Sequence, residues 1–134
     1  MVLVGRHSDR TGERRRHVAA CCTIAALGSI AVSLTHSHAF MMLALCLTAV
    51  GVFGTLGPFW ALATRSLQGP AAAGSIAVVN SVGCLAGFVA PYAIGFAKQH
   101  TNSYFAGWAL VAASLLCGTA LVLAVPISAE HQPT

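Results

Sequence analysis

The chain has 134 residues, 57% of them hydrophobic and only 7% charged, with a mean hydropathy of +0.78. Soluble domains carry roughly a quarter charged residues, so the composition excludes a water-soluble fold and points to a bilayer as the solvent. The net charge of +4 lies almost wholly in the opening segment, and no basic or aromatic pattern continues it, which excludes nucleic-acid binding.

The opening segment, residues 1–17, reads as the tail of a preceding helix (MVLV) and a cytoplasmic loop. GRHSDRTGERRRH, residues 5–17, holds five of the seven Lys and Arg and two of the three acids. Four apolar runs follow, at 18–34, 40–64, 72–97 and 104–126. A helix crossing the hydrocarbon needs roughly 20 such residues. The runs are joined by THSHA, RSLQGPA and KQHTNS, connections short enough to place successive helices antiparallel and side by side. No period-2 alternation appears, which excludes a membrane β-barrel. Residues 127–134 form a short tail. The predicted fold is therefore an all-α membrane protein of four antiparallel transmembrane helices. Arg-Arg-Arg-His, the first apolar run and Ser37-His38-Ala39 imitate a secretory leader, but the run is nearly long enough to span and further spans follow it.

Basic residues set the orientation, since cytoplasmic loops carry the excess of Lys and Arg. Arg6, Arg10, Arg14, Arg15 and Arg16 precede the first span, Arg65 lies between the second and third, and Lys98 lies between the third and fourth. Six of the seven basic residues are cytoplasmic if both termini are cytoplasmic. The expected location is the inner membrane, as a multi-pass protein.

Along the spans, Gly51, Gly54 and Gly57 recur every third residue, and Gly83 and Gly87 form a GxxxG pair. Small residues at these spacings let membrane helices approach backbone to backbone. Pro58 and Pro91 each remove an intrahelical hydrogen bond and favour bending. All five cysteines fall inside spans and read as small packing residues. The six histidines fall in loops or tails, so no haem anchor or defined metal site is expected. Paired carboxylates, a Ser-His-Asp arrangement and a phosphate loop are all missing, so no catalytic residue, no cofactor and no enzyme activity is expected. The spans hold no intramembrane charge either, which argues against a four-helix multidrug transporter coupled through a membrane carboxylate.

Asn80 is the one amide within a span. An amide facing lipid leaves its donors and acceptor unmet, so it should face other helices or a wet cavity. It lies about 12 Å from the cytoplasmic end of its helix at about 1.5 Å per residue, level with Thr55 and Gly57. Asn80, Thr55 and Trp60 are the candidate substrate-binding residues, with a hydrogen bond from Asn80 to Thr55 or Ser81 as the packing alternative.

Two stretches carry a family resemblance. Gly5-x-x-x-Asp9-Arg10-x-Gly12-x-Arg14-Arg15-Arg16 resembles the cytoplasmic loop motif of major facilitator superfamily transporters. GPFWALATRSLQGPAAAGSIAVVNSVGCLAGFVAPYAIG resembles the tenth and eleventh helices of the anion:cation symporter branch, whose members include permeases for tartrate, phthalate, galactonate and hydroxyphenylacetate. The resemblance covers essentially the whole chain. It implies that the four spans are helices nine to twelve of a twelve-helix fold, that this is a C-terminal fragment, and that MVLV belongs to helix eight. It also implies a small organic anion as substrate, coupling to protons in the intact relative, Asn80 at a polar cavity position, and Asp9 looking towards a helix that the chain lacks. A fragment of this kind is expected to be inactive alone and to need the missing N-terminal helices as partner. The alternatives are a small membrane protein that associates with another helix bundle, and a small homo-oligomeric transporter.

Overall fold

The computed structural model describes residues 13–66, 69 and 72–124. The described residues form four helices: α1 (Arg14–Leu34), α2 (His38–Ser66), α3 (Ala72–Thr101) and α4 (Phe105–Ala124). Each is long and apolar enough to cross a membrane. Several of the helix ends differ from the ends of the apolar runs because backbone capping, and not hydropathy, sets them. α1 begins among the arginines, where the Glu13 carbonyl accepts from the His17 N–H at 3.2 Å. It stops at Thr35, whose backbone turns extended while its N–H still reaches the Ala31 carbonyl at 3.1 Å. α3 runs on past Ala97 to Thr101 and ends where Asn102 adopts φ of 53°. Asparagine tolerates that left-handed turn better than most side chains. The Ser103 hydroxyl then accepts the Phe105 N–H at 3.1 Å and opens α4.

Helix α1 is the centre of the bundle, with α2 on one side and α4 on the other. Its buried side chains are small: Ala19, Cys21, Ala25, Ala26 and Ser29, with Val18 and Val32. In a bilayer no hydrophobic gain separates one apolar side chain from another, so close backbone approach decides which faces pair. Two glycines make that approach. A Cβ on Gly28 would lie 2.5 Å from Thr48 Oγ1 and 2.7 Å from Thr48 N, and one on Gly51 would lie 2.6 Å from Ala25 N and 2.7 Å from Cys21 O. The partners run in opposite senses, Gly28 meeting Ala44 and Thr48 and Cys21 meeting Gly51, so α1 and α2 are antiparallel. α3 and α4 are antiparallel too. A Cβ on Gly107 would lie 2.8 Å from Ile94 Cγ2, and further along Lys98 Nζ donates to the Tyr104 hydroxyl and sits 4.1 Å from its ring centre.

The short α2–α3 connection does not make a packed pair. α2 spends its small-residue face on α1, and α3 has little contact with it. Helix α3 buries none of its residues. Several hydroxyls inside the spans are met by their own helices: Ser29 donates to Ala25 O at 2.9 Å, Thr48 to Ala44 O at 2.9 Å and Thr119 to Leu115 O at 2.9 Å. The second lone pair of a helical carbonyl is enough to satisfy them without breaking the helix. The large exposed side chains, Phe88 and Tyr92 among them, would be a liability in water and are ordinary against lipid tails.

Candidate functional site: the α3 face and the arginine run

The helix-forming part of the arginine run starts α1. Arg14 Nη1 crosses to α2 and donates to the Ala61 carbonyl at 3.0 Å in a partly buried position. Arg16 pairs with Glu13 at 2.9 Å, and both side chains are exposed. Arg15 Nε is buried and has no hydrogen-bond partner among the described residues. Gly5, Asp9, Arg10 and Gly12, the rest of the motif, lie outside the described residues. The Arg14 bond is charge-assisted and shielded, whereas the Arg16 pair is screened by water. Arg14→Gln is therefore expected to lower the stability of the chain in nanodiscs by about 1–2 kcal/mol, and Arg16→Gln by less than about 0.5 kcal/mol. Thermal melts of the two variants check the contrast.

The three candidate substrate contacts fall on different surfaces. Thr55 is half-buried on the α1 side of α2, donating to Gly51 O at 3.0 Å, with Cys22 Sγ of α1 3.7 Å from its hydroxyl. Trp60 is half-buried, with Phe59 edge-on at 5.5 Å between ring centres. Asn80 is exposed on α3 and makes no side-chain hydrogen bond to the described residues. The structure thus keeps Thr55 apart from Asn80, and neither Thr55 nor Ser81 is its partner. Among the glycines, Gly51 and Gly54 are buried and Gly57 is half-buried. Around Gly83 and Gly87 an added Cβ would meet no atom within 4 Å. Sequence reasoning passed over Gly28. Its signal was the small-residue run Ala25-Ala26-Leu27-Gly28-Ser29, which lacks the repeat that drew attention to α2.

Among the described residues no three His, Cys, Asp or Glu side chains come together to hold a metal. What the described residues offer chemically is an apolar bundle with an uncovered amide, an uncovered glycine face on α3, and a basic rim at the start of α1. That is the make-up of part of a bundle of membrane helices.

The comparisons agree. The chain is 44% identical over 123 residues to an Agrobacterium vitis protein named as a tartrate transporter, a match that covers 92% of the chain and 27% of that protein. It is 35% identical over 126 residues to the inner membrane transport protein RhmT of Escherichia coli K12, covering 94% of the chain and 29% of that protein. It is 34% identical over 137 residues to a quinolone resistance transporter of Acinetobacter baumannii, covering 31% of that protein. No family model matches the chain, and no solved structure matches it. The chain is similar along more than nine tenths of its length to one part of each of these transporters, which is consistent with the resemblance of its loop motif and its second and third spans to the major facilitator superfamily. It spans less than a third of the length of the curated relatives it matches.

Proposed function

We propose that the chain supplies helices nine to twelve of a secondary transporter for small organic anions, carboxylates in particular, proton-coupled in the complete protein, and that it does not transport alone. The observation that carries this reading is the 44% identity to a protein named as a tartrate transporter along 92% of the chain, against 27% of that relative. The charged and histidine side chains of the described helices, Arg14 to His17, His38, Lys98 and His100, lie at helix ends and not mid-span, so a coupling group within the membrane is expected from the rest of the complete protein. The basic residues support cytoplasmic termini in an inner membrane.

Co-expression with the preceding portion of the A. vitis relative tests it. Cells holding both parts are expected to accumulate tartrate, and cells holding either part alone are not. In the same cells a cysteine at Asn102, in a cysteine-free background, should react with an impermeant maleimide, and one at Ser66 should react only after permeabilisation. Saturable uptake by the chain alone would overturn the reading in favour of a small homo-oligomeric transporter.

A further inference from the structure

Helix α1 opens against its own electrostatics. The N-terminus of a helix carries partial positive charge and favours acids, yet the first turn of α1 holds Arg14, Arg15 and Arg16 and no acid. Two of these cations are committed. Arg14 reaches the Ala61 carbonyl of α2 at 3.0 Å, and Arg16 pairs with Glu13 at 2.9 Å. Arg15 is half-buried and makes no hydrogen bond or ion pair among the described residues, and its Nε is shut off from water. A guanidinium cannot shed its charge, so an unpaired one beside apolar helices is costly until an anion meets it.

Arg15 stands over the seam between α1 and α4. At about 100° per residue it shares an arc of α1 with the buried Ala19 and Ala26, whereas Cys21, Ala25 and Gly28 form the line that meets α2. The other helix packed on α1 is α4. The last turn of α4 lies at the same end of the bundle. Helix α2 has 29 residues and is about 44 Å long. The connection 67–71 reaches at most roughly 20 Å, so α3 starts where α2 stops and α4 returns there. That last turn brings no basic residue, but it exposes Leu121 and Leu123. An unpaired cation at the rim thus adjoins exposed apolar side chains, the arrangement that suits a charged headgroup above its acyl chains.

We propose that Arg15 binds the phosphate of an anionic phospholipid, its Nη groups donating to the phosphodiester oxygens while the acyl chains lie along α4 beside Leu121 and Leu123. A phosphodiester offers the planar guanidinium two oxygens side by side, a match that a lysine ammonium cannot copy. The described start of α1 sets three arginines against Glu13 alone. The site therefore favours a headgroup of net negative charge, such as phosphatidylglycerol, over phosphatidylcholine, whose own cation offsets its phosphate. Leu121 and Leu123 favour a lipid over a free phosphate, which has nothing to lay against them. The inference stands apart from the transporter reading, since it uses only the start of α1 and the end of α4.

The test uses the whole chain in nanodiscs of phosphatidylcholine, alone or mixed with phosphatidylglycerol. Native mass spectrometry of the released chain reads which lipid stays bound, and a titration of phosphatidylglycerol gives its affinity. The chain is expected to retain phosphatidylglycerol in preference to phosphatidylcholine. Arg15→Gln should weaken that binding about tenfold, the worth of a charge-assisted hydrogen bond. Arg16→Gln should weaken it less than about twofold, because its side chain is exposed and already paired. Arg15→Lys keeps the charge and loses the fork, so it should recover only part of the affinity. It also carries the test if Arg15→Gln fails to insert, and full affinity in Arg15→Lys overturns the bidentate site. Equal losses in Arg15→Gln and Arg16→Gln overturn the proposal in favour of diffuse attraction to a charged surface. So does equal retention of the two lipids. Inorganic phosphate, added to the chain in phosphatidylcholine nanodiscs, should leave Tm unchanged, and a rise equal to that given by phosphatidylglycerol would assign Arg15 to a free anion.

Discussion

Gly51→Leu is expected to separate α1 from α2 and to cost about 3 kcal/mol, the upper range for overpacking a close contact. The reason lies in what the new side chain meets. A Cβ at Gly51 would lie 2.6 Å from Ala25 N, 2.7 Å from Cys21 O and 2.8 Å from Ala25 Cβ. Two of these are backbone atoms of a helix, which cannot move aside singly, so the whole of α1 must withdraw. That withdrawal also breaks the Arg14 bond to Ala61 and the Cys22 contact with Thr55, which lie further along the same interface towards the start of α1. Gly83→Leu makes the contrast. Nothing lies within 4 Å of its added Cβ, so the chain alone should hold its stability to within about 0.5 kcal/mol. Thermal unfolding of both variants in nanodiscs checks the pair, and equal losses would show that the α1–α2 glycine contact is not what holds the bundle.

The four spans were legible because the bilayer demands long apolar runs and tolerates charge only between them. Their pairing was not. A soluble helix announces its buried face by the period of its apolar residues, but every face of these helices is apolar and only the small residues mark contact. Those of α2 were visible as Gly51, Gly54 and Gly57. Which helix they met depends on the matching small run on α1, and one strand of text does not pair two runs. Short connections suggested that α2 would pack on α3, yet α1 takes the small-residue face of α2 and also packs on α4. The depth arithmetic set Asn80 level with Thr55, but depth says nothing about rotation, and Thr55 turns to Cys22 of α1. The helix ends differ from the ends of the apolar runs for a related reason. Hydropathy stops at Ala97, while the backbone continues to the left-handed turn at Asn102.

Asn80→Ala is expected to separate binding from stability more sharply than any other substitution in the chain. In the chain alone the amide is exposed on α3 and bonds to none of the described residues, so its removal takes away no contact and its desolvation cost vanishes with it. The Tm of the isolated chain should then stay within about 2 °C, since a change of 1 kcal/mol shifts a domain of this size by roughly 4 °C. Asn80→Leu should raise it slightly, because an apolar side chain suits the hydrocarbon that the amide faces there. In the protein completed by the preceding portion of the A. vitis relative, the same Asn80→Ala should weaken tartrate binding about tenfold, the worth of one hydrogen bond to a charged group at roughly 1.4 kcal/mol. Bound tartrate should also shield a cysteine placed at position 80 from maleimide. Tartrate affinity and Tm, measured on the two preparations side by side, decide between a substrate contact and a packing residue. An unchanged affinity with a fall of several degrees in the completed protein would give Asn80 to packing, and would mean that the preceding helices bring their own hydroxyl or amide to cover it.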